Sequence, residues 1–348
     1  MLAPASPRAP AAQVIVLGMH RSGTSVLTGL LRLLGLWAGE EDDFPPVDDP
    51  NRVGYWEHRG VWSIDEAILQ TLGASWSEIA GLDLSSLGEE SRARFRERAR
   101  EIVRDLNRHG SWVIKDPRLC LLFPFWREIL EHPFCVLIYR EPLPVARSLS
   151  ARDGIPIPYG IALWEQYTRE ALASTRGLPR VLISHRELMA DPAAPLRRLH
   201  RHLARLDGRQ LAQFPSAEEI RAVVDPTLVH HPREPEIERP YLTPPQLDLL
   251  AALEKGTALD LDPVPPLSAG ARDLLASYQS LRATTRGLDE LDAIISAILD
   301  SRSWKIGRTL TVAMRRLFGP SRIGAPERRD QLIAEVRSRR QDDKGEGS

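Results

Sequence analysis

The sequence predicts an α/β fold: a P-loop-type parallel β-sheet flanked by helices, with a mainly helical C-terminal extension. Three observations carry this. Four short apolar runs, "VIVL" (14–17), "WVIK" (112–115), "FCVLIY" (134–139) and "RVLIS" (180–184), lie between helical patterns. Strands that alternate with helices make parallel sheets, because a parallel crossover needs a helix-length connection. The first run breaks at once into "GMHRSGTS", where Gly18 and Gly23 bracket a polar loop at phosphate-loop spacing before a helix. Beyond about 225 the alternation gives way to prolines and helical patterns.

In chain order, residues 1–12, rich in Ala and Pro, read as a disordered leader without a secretory signal or membrane anchor. The 14–17 strand, the loop and a helix over about 24–34 follow, with Gly35 as the helix stop. Residues 40–60, "EEDDFPPVDDPNRVGYWEHRG", mix acids, prolines and aromatics without a period and read as a loop over the site. Helices are expected at 61–72 and 88–107, the second highly charged and solvated on one face. An apolar helix around 119–131 separates the next two strands, and helices at 142–152 and 159–176 precede the last. Helical segments then run to about 206, and these elements define one domain over 13–235.

A proline-rich connector covers 236–268 and holds one helix at 244–254. An amphipathic helix and basic segment occupy 269–318, and a charged, partly disordered tail 319–348. Leu274, Leu281, Leu288 and Ile295, with Leu291 and Ile298, are spaced as heptads. That spacing suits a helix packed on its own domain first, with a homodimer formed through the 270–300 helix as the alternative. Residues 301–322, "SRSWKIGRTLTVAMRRLFGPSR", carry six basic residues and no acids. They suit a solvated tail or peripheral contact with an anionic membrane surface.

Composition narrows the function classes. The formal net charge is −1, so no global basic field points to nucleic acid, and an anion site must be local. Cys120 and Cys135 lie in apolar runs, away from metal-ligand spacing, and read as reduced, buried thiols of a cytoplasmic protein. No run reaches the roughly 18 consecutive apolar residues of a membrane-spanning helix.

In the loop, backbone N–H groups and the positive end of the following helix suit a phosphate, and Ser22, Thr24 and Ser25 can donate hydroxyl hydrogen bonds. A nucleoside-triphosphate loop places Lys after its final Gly; here that position is Thr24, and the loop's cation is Arg21. His20 either packs beneath the loop or faces the ligand. "VLIYREPLPVARSLSARDG" (136–154) supplies a second anion element. Arg140 leaves the carboxyl end of a strand, where parallel sheets bind ligands, and Ser148 follows eight residues later on a helix. Arg140 alone could instead pair with Glu141 or Glu128. In "VIKDPRLC", Lys115, Asp116 and Arg118 leave the neighbouring strand at the same edge, as ligand groups or as a buried pair bracing the turn at Pro117.

Together, Arg21-Ser22-Gly23-Thr24-Ser25 and the Arg140/Ser148 element resemble the 5′-phosphosulfate loop and 3′-phosphate element of the sulfotransferases that use 3′-phosphoadenosine 5′-phosphosulfate (PAPS). The opening "GMHRSGTS" with Gly54-Tyr-Trp-Glu57 is similar to bacterial members, over roughly residues 13–235. The resemblance implies transfer of a sulfonate from PAPS to a hydroxyl or amine, with release of PAP and no metal. It implies nucleotide contacts from His20, Arg21, Ser22, Gly23, Thr24, Ser25, Arg140 and Ser148, and gives Lys115 and Arg21 the task of stabilising charge on the transferring group. The base is expected to be Glu57, with His58 and Asp116 in contention; Glu57 could equally orient the acceptor or cap the helix near Val61. "SRSWKIG" resembles a segment that accompanies bacterial surface-glycan enzymes, which implies a carbohydrate or glycan acceptor and a protein of the cytoplasm or the inner membrane face. Family members often carry Tyr-Glu-Asp-Leu where this chain has His185-Arg-Glu-Leu188, leaving the adenine contact open. His230, His231 and Arg233 are candidates to replace the C-terminal 3′-phosphate loop of animal members. Two other readings remain: a non-catalytic PAP-binding scaffold of a glycan-assembly complex, and a degenerate P-loop kinase or NTPase.

Overall fold

The computed structural model describes residues 11–45, 56–207, 213–224 and 241–300. Its sheet holds four parallel strands, β1 (Gln13–Leu17), β2 (Trp112–Lys115), β3 (Pro133–Tyr139) and β4 (Arg180–Ser184), in the order β2-β1-β3-β4. Val14 aligns with Val113 and Phe134, and Val136 with Val181. Every residue of β1, β2 and β3 is buried, because helices cover both faces. That explains why these strands read as unbroken apolar runs.

Successive residues of each strand feed opposite cores. Ile15, Leu17, Ile114, Cys135 and Leu137 face one core, and Val14, Val16, Val113, Val136 and Ile138 the other. On the second face lie α1 (Thr24–Leu33), α7 (His185–Ala190), α8 (Ala193–Asp207) and α9 (Ala217–Val223). On the first lie α2 (Arg59–Thr71), α3 (Glu89–Arg108), α4 (Leu119–Arg127), α5 (Pro142–Asp153), α6 (Ile157–Ser174) and α10 (Pro244–Lys255). Neighbouring strands β1 and β3 therefore lead into helices on opposite faces. A crevice opens between their carboxyl ends, the usual ligand position in such sheets.

Local differences from the expected elements have local causes. The helix expected over 119–131 ends at Arg127 with Pro124 inside it, and β3 begins one residue early, at Pro133. The helical run expected to 206 divides at Asp191, whose backbone is extended (φ −145°, ψ 82°) because Pro192 disfavours a helical residue before it.

Composition places a boundary at 235/236, yet packing carries 241–281 into the same compact unit as the sheet, and the chain divides after Leu281. The reason is Glu165 of α6, a fully buried carboxylate that accepts hydrogen bonds from Arg169 Nε (2.9 Å), Gln246 Nε2 (3.0 Å), Ser268 N (3.0 Å) and Ser268 Oγ (2.9 Å). Arg169 also donates to the carbonyls of Pro245 (3.3 Å) and Pro265 (3.0 Å). Leu249, Leu250 and Leu253 of α10, and Ala271 and Leu275 of α11 (Ala269–Asp300), complete the first core.

The second unit begins at Arg282; its described part, 282–300, is helical and exposes Leu288, Leu291 and Ile294. The basic segment from 301, the charged tail, His230, His231 and Arg233 lie outside the described residues, as does most of the leader. No helix among the described residues is long and apolar enough to cross a membrane.

Candidate active site

The loop between β1 and α1 is shaped by close approach. A Cβ on Gly18 would lie 2.6 Å from the Ile138 carbonyl oxygen, so only glycine lets the loop cross β3 at this height. Arg21 (φ 67°) and Gly23 (φ 86°) both adopt left-handed backbone, which folds the loop back on itself; Ser22 N donates to Met19 O at 3.2 Å. Holding an arginine there costs about 1 kcal/mol, a strain the surrounding bonds must sustain. The first turn of α1 contains no acidic residue, and Gly23 provides no side-chain cap. Its leading N–H groups thus present a positive pole to the crevice.

The second anion element joins the loop directly. Arg21 Nε donates to Ser148 Oγ on α5 at 2.8 Å, and Arg140 Nη1 donates to the Arg21 carbonyl at 3.2 Å. Arg140 is itself anchored through its backbone carbonyl, which accepts from Trp164 Nε1 at 2.9 Å. Burial pushes the Arg140 guanidinium down to about 10, against the pull of Glu141 and with Arg21 adding repulsion.

At the neighbouring strand end, Lys115 is 1% exposed, and its ammonium donates to Glu57 Oε1 at 2.9 Å and to Ser25 Oγ at 3.3 Å. The chain reaches Glu57 through Trp56, whose φ of 51° turns the carboxylate into the cleft. His20, Arg21, Thr24, Ser25, Glu57, Lys115 and Arg140 line a common cleft of about 270 Å³.

Two base candidates are not brought to this cleft wall. His58 caps α2: Nδ1 accepts from Gly60 N at 3.1 Å, and Nε2 lies 3.8 Å from Asp43. The helix consequently starts at Arg59, and Glu57 is not its cap. Asp116 is fully buried and braces the Pro117 turn by accepting from Arg118 N (2.8 Å) and Arg118 Nη1 (3.1 Å), while Arg118 Nε donates to Glu66 at 3.0 Å. Ser22 Oγ is buried beneath the loop without a hydrogen-bond partner among the described residues.

His20 packs beside the loop, 4.6 Å between ring centroids from Trp76 and 5.9 Å from Tyr167. Burial, reinforced by Arg118, Arg152, Lys115 and Arg21, holds its imidazole well below the usual range, so it is neutral. Its Nε2 is buried and, among the described residues, unpartnered. Among the described residues, this atom and Ser22 Oγ are both unpartnered polar groups buried within the loop itself.

Sequence reasoning singled out none of the lining residues Val26, Trp76, Arg152, Asp153 and Met189, and named His185 only at the open adenine contact. Arg152 was findable, one helical turn beyond Ser148 on α5. His185 follows β4 and lies against Gly23, where a Cβ would come within 2.6 Å of its Cδ2. Burial, with Arg140 nearby, pushes the His185 imidazole down to about 3. Trp76 belongs to an irregular segment with no motif to mark it. Among the described residues no three His, Cys, Asp or Glu side chains converge as metal ligands.

The chain is similar to several solved structures. The sulfotransferase domain of the Synechococcus PCC 7002 olefin synthase is 18% identical, over 72% of this chain and 96% of that one, with a TM-score of 0.41. For the sulfotransferase domain of the curacin biosynthetic pathway the values are 14%, 79%, 99% and 0.37. For the sulfotransferase STF9 of Mycobacterium avium they are 17%, 74%, 77% and 0.35. No protein-family model and no curated protein matches the chain.

Proposed function

We propose that this cleft transfers a sulfonate from PAPS to a hydroxyl or amine of an acceptor, a carbohydrate or glycan, and releases PAP. One observation carries the reading. The phosphate loop and the second anion element are a single hydrogen-bonded unit, Arg140–Arg21–Ser148, beside the Lys115–Glu57 pair. A nucleotide with separated 5′- and 3′-anions suits such a pair of linked sites.

PAPS supplies a sulfonate on a phosphate leaving group: the acceptor atom bonds to sulfur as the bond from sulfur to the 5′-phosphate oxygen breaks. The protein's task is positioning and charge. The α1 N-terminus with Thr24 and Ser25 holds the 5′-phosphate, and Arg140 and Ser148 hold the 3′-phosphate. An ammonium carries three donors, one more than the bonds Lys115 makes to Glu57 and Ser25 among the described residues. The third serves the sulfonate and the leaving oxygen, where a fixed cation counts most. Glu57 accepts the acceptor's proton; it is the one candidate carboxylate that both lines the cleft and touches the ammonium.

Calorimetric titration with PAP and, separately, with Mg-ATP tests the nucleotide half. Metal-independent PAP binding without ATP binding supports the reading, and the reverse pattern makes the protein a kinase or NTPase. Incubation with sulfonate-labelled PAPS and an extract of the source cells tests the transfer. An extract that contains sulfated glycans yet gains no label in any product would leave only a PAP-binding scaffold.

A further inference from the structure

We infer that Trp76 is the platform on which the acceptor lies, and that the acceptor is a saccharide ring with its reactive hydroxyl turned to Glu57. This rests on the sulfonate-transfer reading above and adds where the acceptor sits and which side chain holds it. Trp76 is half-buried and lines the same cleft as Glu57 and Lys115. The cleft's other apolar lining residues are Val26, Pro117 and Met189, too little surface for a fatty or polycyclic acceptor. A polar cleft with one aromatic wall suits a ligand with one apolar face and a polar rim. A pyranose is such a ligand: the C–H bonds of one ring face are slightly positive and meet the negative π face of indole.

The surroundings of Trp76 match that rim. The Arg152 guanidinium lies over the indole ring, 5.6 Å from its centre, and its Nε donates to both oxygens of Asp153 at 2.9 and 2.8 Å. Both residues line the cleft, so a guanidinium with four further N–H donors and a carboxylate meet at the aromatic wall, where adjacent hydroxyls of a ring lying along it would reach them.

The platform is also held in place, although it lies in neither helix nor strand. Tyr167 OH donates to the Trp76 carbonyl and Tyr159 OH to the Ser77 carbonyl, each at 2.5 Å. Ala80 N donates to Gln279 Oε1 of α11 at 2.9 Å. Two buried tyrosines thus clamp two successive peptide carbonyls, those of Trp76 and Ser77, while the indole lines the cleft beside His20. Fixing an irregular segment this firmly pre-organises a binding wall.

Saturation-transfer NMR on the wild-type protein with PAP bound tests this, with methyl glycosides of glucose, galactose, mannose and N-acetylglucosamine as probes. We expect at least one glycoside to receive saturation on one ring face. Trp76→Ala should weaken it about three- to tenfold, as loss of an aromatic contact does. Trp76→Phe should retain it, and both variants should keep the wild-type PAP affinity by calorimetry, which also shows that they fold. If no probe is saturated while PAP binds, the saccharide assignment fails and sulfonate transfer stands. If Trp76→Ala weakens PAP, the indole stacks on the nucleotide base instead. If PAP does not bind the wild type, the sulfonate reading fails and this one with it.

Discussion

Replacing Lys115 by methionine separates what the ammonium does for chemistry from what it does for the fold. The Lys115 side chain is 1% exposed and that of Glu57, 2.9 Å away, is 17% exposed. Lys115→Met leaves a carboxylate that cleft water can reach and removes the cost of burying an ammonium. Stability should therefore shift by no more than about 1 kcal/mol. Glu57→Ala does the opposite: it strands a buried cation with the 3.3 Å bond to Ser25 Oγ remaining. Breaking a buried pair costs about 3–5 kcal/mol, and the open cleft puts this case near 3. The chemical effect runs the other way. An ammonium about 4 Å from developing charge contributes roughly 4 kcal/mol at an effective dielectric constant near 20. That corresponds to a loss in kcat of about 10²–10³-fold for Lys115→Met. PAP keeps the leaving oxygen but carries no sulfonate, so its affinity should fall much less than kcat. Urea denaturation of the two variants and transfer assays with labelled PAPS read both halves. A Lys115→Met protein that turns over within about tenfold of wild type would refute the catalytic assignment. One destabilised as much as Glu57→Ala would refute the burial argument.

Ser148→Ala removes the hydroxyl assigned to the 3′-phosphate together with its bond from Arg21 Nε, and a hydrogen bond to a charged group is worth about 1.5–3 kcal/mol, so the PAP Kd should rise about ten- to hundredfold by calorimetry. Arg140→Lys should not restore binding lost in Arg140→Ala, because an ammonium cannot reproduce the planar fork; equal affinity of Arg140→Lys and wild type would contradict this. Gly23→Ala meets both a φ of 86° and a 2.6 Å contact with His185 Cδ2; it should lower stability by about 1–3 kcal/mol and weaken PAP, and a wild-type melting temperature would count against the strain. His185 is neutral in the fold down to about pH 3, whereas in the unfolded chain it takes up a proton below its ordinary 6.5. Its contribution is therefore complete above pH 6.5 and is lost as pH falls toward 3, amounting to about 2 kcal/mol at pH 5. Denaturation of wild type and His185→Gln at pH 7 and 5 checks this, and identical losses in the two proteins would disprove it.

Much of the fold was legible because strands buried on both faces read as apolar runs, as "WVIK" does for β2; "RVLIS" also matches β4 residue for residue, although burial alternates along that edge strand. The loop and the Arg140/Ser148 element were legible for another reason: their chemistry depends on spacing along one strand-turn-helix, which is local. What depends on distant partners was not legible. Asp116 and Glu57 look alike as acids near a ligand edge, yet Arg118 engages one and leaves the other to Lys115. His58 looked like a base until the helix beginning at Arg59 required a cap. Proline content marked 236–268 as a connector, but nothing local shows that Gln246 and Ser268 satisfy a carboxylate buried at Glu165.

The bond from Arg21 to Ser148 has a thermodynamic consequence. Because the Arg21 guanidinium ties the loop to the helix that follows Arg140, occupancy of either proposed anion site would orient the residue that serves the other. Coupling of this kind is reciprocal, and is typically about 1–3 kcal/mol. A nucleotide lacking its 3′-phosphate would forfeit its direct contacts and also the alignment of Arg21 over its 5′-end. Selectivity for a doubly anionic nucleotide would then exceed the sum of the two sites' separate affinities.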